Sequence, residues 1–322
     1  MVVRVVAGSR LHFGFRNLCL EESHVYGGIG VCLEDPKVVL TAEPEKGIIC
    51  DDESAKEYAQ KAVDILGVEG AKVEIKEKIP THMGLGSGTQ LALAVYTAIA
   101  ETYGIEPKSR ECAPKLGRGE RSGVGVATFE QGGFNIDRGQ EASSLSVFDE
   151  ERRSGWEVPS IKTNLRIPEE WIFVVVKLET REGYSGNEEK KLINFVIKEA
   201  RLDVTKEIDR VIDRILIPAI QNENCAEFGF AVGEINRLNG IWYEKCQGGV
   251  YRPPIGDVVG KLKNSSNIFG VGQSSWGPSL YCVTSEEYRK DVEGVVQELL
   301  DGLGMSGEII MAAPRNKGAE VT

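Results

Sequence analysis

Hydrophobic and polar positions fall into two kinds of run. Val2 to Ala7 is β-branched and broadly alternating, which predicts a strand. Gly27 to Leu33 and Lys37 to Thr41 read as two further strands, separated by a turn at Glu34-Asp35-Pro36. Ser54 to Leu66 changes period: Tyr58, Ala62, Ile65 and Leu66 share one helical face, and Gly67 marks the stop. Lys72 to Ile79 alternates again as a half-exposed strand and ends at Pro80. Leu91 to Gly104 is almost wholly apolar until Glu101, which predicts a buried helix. Gly123 to Ile136 reads as strand and turn around Gly132-Gly133.

Ala142 to Leu165 carries less pattern, and a domain boundary is placed near its end, giving units 1–165 and 166–322. In the second unit Trp171 to Leu178 is an apolar strand. Glu188 to Ala200 and Val204 to Asn239 are helical, with Pro218 kinking or dividing the latter. Ile255 to Lys263 predicts a helix, Ile268 to Thr284 loop then strand, Glu286 to Leu303 an amphipathic helix, and Gly307 to Ala312 a closing strand. Strands and helices mix throughout with no internal repeat, so the fold class is α+β in two halves.

Composition narrows the function classes. A chain of 322 residues, 41% hydrophobic, can build two cores. A net charge of −11 implies a solvated acidic surface and argues against nucleic acid as a partner, because phosphate neutralisation needs a basic face. The first residues do not read as a signal peptide, and no apolar run approaches a membrane span, so no membrane partner is expected. The seven cysteines are scattered and form no Cys-x-x-Cys pair, which suits a reducing cytoplasm. Three histidines and no cysteine cluster make a dedicated zinc site an unsuitable reading.

Four glycine-rich segments hold the candidate chemistry. The first is Gly84, Leu85, Gly86, Ser87, Gly88, Thr89 and Gln90, between a strand and the buried helix. Glycines let backbone amides approach an anion, and a helix start adds unpaired N–H donors and a positive dipole end. A flexible turn with a capping residue is the plainer alternative. The segment lacks the Gly-Lys-Ser/Thr ending of a Walker loop and the spacing of a dinucleotide fingerprint. The second, Gly270-Val271-Gly272-Gln273-Ser274-Ser275-Trp276-Gly277-Pro278, reads either as a ligand loop or as a tight hairpin with a packed tryptophan. The third, Gly117 to Gly125, holds Arg118 and Arg121, which suit phosphate or carboxylate but equally a solvated basic turn. In the fourth, Ser9 to Gly14, an extended backbone turns Arg10 and His12 to one face, although His12 also reads as an interior histidine.

Together these segments resemble the GHMP kinase superfamily, named for galactokinase, homoserine, mevalonate and phosphomevalonate kinases. Pro80 to Gln90 is similar to its Pro-x-x-x-Gly-Leu-Gly-Ser-Ser motif, and Gly270 to Pro278 to its C-terminal glycine motif. The resemblance implies an N-terminal ribosomal-protein-S5-like α/β domain with a left-handed β-α-β crossover, and a ferredoxin-like C-terminal domain. Two departures stand out. Gly125 occupies the position of the mevalonate kinase aspartate, and Gly88 that of a serine which helps hold magnesium in the kinases.

Those departures, with Ser9 to Gly14, Gly27-Gly28-Ile29-Gly30, Gly84 to Ala94, Gly117-Arg118, Arg121 to Phe134 and Gly272 to Pro278, resemble a non-kinase family. It is the β-ribofuranosylaminobenzene 5′-phosphate synthases of methanopterin biosynthesis. His24-Val25-Tyr26 departs from the Arg-Val-Asp of that family. The resemblance implies that phosphoribosyl diphosphate and 4-aminobenzoate or 4-hydroxybenzoate give an aryl C-riboside 5′-phosphate, carbon dioxide and diphosphate. It implies a divalent cation, Mg2+, with unassigned ligands, and a homodimer. It implies catalytic roles for Arg10, His12, Arg118 and Arg121, phosphate binding by Gly84 to Gln90, and substrate binding by Gly27, Gly28, Gln273, Ser274, Ser275 and Trp276. A small-molecule kinase with another base and a non-catalytic sensor are the rival readings. Gly125 speaks against the first, because a base that activates an alcohol is missing there.

Overall fold

A computed structural model of the chain describes residues 1–81, 83–144, 156–179, 186–274 and 279–322. Its first sheet is built on a long antiparallel pair, β1 (Val3–Asn17) and β2 (His24–Pro44). Gly8 faces Lys37 whereas Ser9 faces Leu33, so residues 34–36 bulge from one continuous strand. The sequence predicts a turn between two strands there. The strand continues because Leu33 and Val38, either side of the bulge, are both buried and pin the register.

β3 (Gly47–Ile49) runs parallel to β4 (Gly70–Glu77), and α1 (Glu53–Leu66) connects them. The Asp52 side chain accepts from Ala55 N at 2.9 Å at the start of α1, and Gly67 ends it in the left-handed region at φ 67°. α2 (Ser87–Thr102) is buried over most of its circumference and lies across β1 and β2. After the short α3 (Ser109–Cys112) comes α4 (Val124–Glu130), a helix where a strand is predicted. Local propensity is overridden by burial of Val124, Val126, Ala127 and Phe129. β5 (Phe134–Asp137), β6 (Gln140–Glu141) and β7 (Ile161–Leu165) extend the sheet beside β2.

The second sheet starts with β8 (Trp171–Leu178). A helical stretch follows: α5 (Gly186–Glu199), α6 (Leu202–Val211), a π-helical turn over Ile212–Leu216, α7 (Ile217–Gln221) and α8 (Cys225–Gln247). Pro218 follows directly on the π-helical turn inside a continuous run of helical backbone, where its missing N–H removes one intrahelical donor. α9 (Ile255–Leu262), β9 (Gly270–Gln273), β10 (Ser279–Ser285), α10 (Arg289–Gly302) and β11 (Gly307–Ala312) complete the unit. The strand order β11-β8-β10-β9, antiparallel throughout, is that of a ferredoxin-like β-α-β-β-α-β arrangement.

β12 (Glu320–Val321) then pairs with β1, returning the chain to the first sheet. Arg315, only 2% exposed, fastens this return through Glu34 at 2.6 Å and Glu320 at 2.7 Å. An aromatic cluster joins the two sheets. Phe13 of β1 packs at 6.2 Å from Phe173, 5.9 Å from Phe228 and 5.2 Å from Tyr281. The far face of the second sheet has its own core against α9 and α10.

Candidate active site

Where β1, the start of α2, residues 117–122 and α8 converge, they enclose a cavity of about 300 Å³. Alternation along β1 sends Leu11 and Phe13 into the core and puts Arg10 and His12 on the cavity wall. Arg118 and Arg121 reach the same wall from the loop before α4, and Thr89 from the first turn of α2. The four cationic or basic side chains singled out in the sequence are therefore neighbours, although more than a hundred residues separate the outer pair.

The loop before α2 packs tightly on its surroundings. Arg10 N donates to Leu85 O at 2.9 Å, and Arg10 Nη1 to Gly84 O at 3.2 Å. The Ser274 hydroxyl donates to the same Gly84 oxygen at 3.1 Å. Gly84 and Gly86 have φ of 68° and 73°, which side-chain-bearing residues resist. The amides of Ser87 and Gly88 open α2, where the intrahelical ladder gives them no acceptor.

Of the glycine loop only Thr89 is on the cavity wall; Gly84 to Gly88 and Ser274 are not, and two further groups of sequence-assigned residues have other positions. The Gln90 side chain is fully buried and donates to Gly125 O at 2.8 Å and to Thr128 Oγ1 at 3.2 Å. It clamps α2 to α4 and does not face the loop, because its position in the helix lies on the α4 side. Gly27 and Gly28 belong to β2 and are not on the cavity wall. A Cβ on Gly28 would lie 2.0 Å from the Ser122 hydroxyl, so this glycine permits close packing rather than ligand contact. Gln273 does line the cavity. Ser275 and Trp276 lie outside the described residues.

Several residues that organise the site are not among those singled out in the sequence. Asn236 Nδ2 donates to Phe13 O at 2.9 Å and Gln273 O at 2.8 Å, while its Oδ1 accepts from Gln273 N at 2.8 Å. Asn239 accepts from Phe15 N at 2.7 Å and donates to Phe15 O at 2.9 Å, pairing with β1 as a strand would. Both sit at helical spacing on α8, and a polar pair three residues apart on an otherwise apolar face was the available signal. Asp137 is buried and accepts from the Ser122 hydroxyl at 2.9 Å, Gly123 N at 2.7 Å and Gly139 N at 2.8 Å. It thereby fixes the end of the arginine-bearing loop. Burial pushes its carboxyl up to about 6 despite these donors.

Charge at the cavity is predominantly positive. His12 is buried, with its ring edge-on to Phe15 at 5.1 Å. Burial first, and then Arg10, hold its pKa well below the ordinary value, so it is neutral at pH 7. Glu120 is the one carboxylate among the described lining residues. No group of three His, Cys, Asp or Glu able to hold a metal occurs among the described residues. A divalent cation at this site would be held mainly by substrate oxygens and water. Tyr26, in the triplet that departs from the family pattern, has φ 75° and packs on Phe15 at 5.5 Å behind the wall.

Comparison with known proteins agrees with this geometry. The family model described as GHMP kinases N terminal domain matches residues 53–133. A β-ribofuranosylphenol 5′-phosphate synthase from Methanothermobacter thermautotrophicus is 31% identical, covering 99% of both chains. Its namesake from Archaeoglobus fulgidus is 29% identical, also over 99% of each. Among solved structures, the mevalonate kinase of Methanococcus jannaschii superposes with a TM-score of 0.64 at 17% identity, covering 98% of each chain. That likeness establishes the GHMP kinase fold.

Proposed function

The chain belongs to the β-ribofuranosylphenol 5′-phosphate synthase family, and from that premise we propose that it is a decarboxylating phosphoribosyltransferase of methanopterin biosynthesis. Its substrates in this reading are phosphoribosyl diphosphate and a 4-substituted benzoate. The relatives' product is a ribofuranosylphenol, which puts 4-hydroxybenzoate ahead of 4-aminobenzoate. The bond from ribose C1 to the diphosphate oxygen breaks, and its electron pair leaves with diphosphate. The ring carbon bearing the carboxylate bonds to C1. Loss of carbon dioxide returns the carbon–carbon pair to the ring and restores aromaticity.

One observation carries the reading. Arg10, Arg118 and Arg121 line a single cavity beside the glycine loop, where the only described lining carboxylate is Glu120. Three anionic groups enter this reaction, the diphosphate, the 5′-phosphate and the benzoate carboxylate, and arginine forks suit each. The chemistry activates no alcohol, so it asks for no base at Gly125, where an added Cβ would lie 3.3 Å from Thr89 Cγ2. Neutral His12 and Phe15 offer an aromatic wall for the benzoate ring.

Supporting a cytoplasmic setting, all seven cysteines are free thiols, and no helix among the described residues is long and apolar enough to cross a membrane. A homodimer is part of the proposal, and light scattering tests it. The reaction itself is tested with carboxyl-labelled 4-hydroxybenzoate, phosphoribosyl diphosphate and magnesium. Labelled carbon dioxide is expected. Its absence, together with ATP turnover stimulated by a small alcohol such as mevalonate, homoserine or pantoate, would replace this reading with a kinase.

A further inference from the structure

The three cavity arginines are not equivalent. Arg10 is committed to the loop through Gly84 O at 3.2 Å, and Arg121 also has a partner. The Arg118 side chain has neither hydrogen bond nor ion pair among the described residues, and its Nε is buried without an acceptor. Desolvation alone accounts for its lowered pKa, with no carboxylate opposing it, yet a guanidinium stays charged at pH 7. A half-buried cation without a counter-charge is unfavourable in the empty protein and is offset when an anion arrives.

Its placement depends on two neighbours. A Cβ on Gly88 would lie 2.8 Å from Arg118 Nη2, 3.0 Å from Cζ and 3.1 Å from Nη1. Any side chain at position 88 therefore displaces the guanidinium from the first turn of α2. Arg118 Cζ also lies 5.2 Å from the centroid of the Tyr58 ring, which holds the group by cation–π attraction. The guanidinium thus rests against the helix turn whose first amides lack intrahelical acceptors.

We propose that Arg118 is the cation that receives the diphosphate, and that Gly88 and Tyr58 are positioning residues for it. The assignment rests on the phosphoribosyl-transfer reading. It picks diphosphate over the benzoate carboxylate because two donor sets, a fork and a helix start, converge on one place. A polyanion has enough oxygens for both, whereas one fork saturates a carboxylate. As the C1–O bond breaks, its electron pair settles on the diphosphate oxygen, and a fixed guanidinium meets that charge without reorganisation.

Calorimetry with inorganic pyrophosphate, in chelator and again in magnesium, tests the assignment on the full chain. Arg118→Gln is expected to weaken binding about 30-fold or more under both conditions, with Arg118→Lys recovering part of it. Gly88→Ser keeps the arginine but moves it, and is expected to weaken binding about tenfold with an unchanged melting temperature. In turnover, Arg118→Gln should lower kcat while KM for the benzoate stays near wild type. Pyrophosphate affinity within about twofold of wild type in a folded Arg118→Gln protein overturns the assignment. Carbon dioxide release by the wild-type enzyme reports separately on the reaction: its absence with pyrophosphate binding still lost in Arg118→Gln sinks the transferase reading and leaves the anion site standing.

Discussion

Replacing Asn236 by Asp turns one atom from donor to acceptor and changes almost no volume. Oδ1 continues to accept from Gln273 N, but the second carboxylate oxygen then faces Phe13 O and Gln273 O, which Nδ2 now approaches at 2.9 and 2.8 Å. The site is 8% exposed, so water repairs little. Two lost hydrogen bonds cost about 1–3 kcal/mol in total, and an ionised oxygen against two carbonyls adds a further penalty, for roughly 3–5 kcal/mol when charged. The variant escapes part of this by holding a proton, which can donate to one carbonyl. Its folded-state pKa is therefore raised above the unfolded value, the native state binds more protons, and stability falls as pH rises between the two. Urea unfolding at about pH 5 and about pH 8 is the assay, with the larger loss expected at the higher pH. Since Asn236 also holds the Gln273 wall, KM for phosphoribosyl diphosphate should rise in parallel. A variant with the wild-type urea midpoint at both pH values would refute the argument that this amide clamps β1 to β9.

Two further outcomes follow from the site. Burial holds the Asp137 carboxyl at about 6, so its native state keeps a proton that the unfolded chain has released; its contribution to stability falls as pH rises from about 4 to about 6 and is level above. Asp137→Asn should lack that slope, and parallel wild-type and variant urea midpoints at about pH 4, 5 and 7 would contradict it. Gly86→Val forces a β-branched residue into φ 73° and sets a Cβ 3.3 Å from Arg10 Cβ and Nε. We expect a loss of about 1–3 kcal/mol in stability and at least about tenfold in pyrophosphate affinity, read by calorimetry, and unchanged affinity would remove the loop from the site.

The glycine loop, the apolar helix after it and the Arg10–His12 face were all legible in the sequence, because each is encoded in a local period or a local glycine pattern. The bulge at residues 34–36 was not, since Pro36 signals a turn and only the distant burial of Leu33 and Val38 keeps the strand continuous. α4 was hidden for a similar reason: its glycine and β-branched residues disfavour a helix until Gln90 and the core impose one. Gln90 itself shares the motif string with true loop residues, and only helical phase separates them. Asn236, Asn239 and Asp137 act through backbone groups far away in sequence. A backbone partner has no identity that a sequence can advertise, so such residues look like ordinary polar positions.

The aromatic cluster around Phe13 has a mechanical consequence. Phe13 belongs to the first sheet, Phe173 and Tyr281 to the second, and Phe228 to α8, so one set of rings is shared by both halves. Rotating the halves apart as rigid bodies would expose those rings to water at a cost of about 1.5–3 kcal/mol for each ring uncovered. Hinge opening is thereby suppressed, and the two halves should melt in a single calorimetric transition. The 117–122 segment, whose side chains also wall the cavity, is held separately, by Asp137 at its end and by Tyr58 beneath Arg118. The cavity is thus carried on a stiff frame, whose walls from β1 and α8 should hold their spacing through turnover.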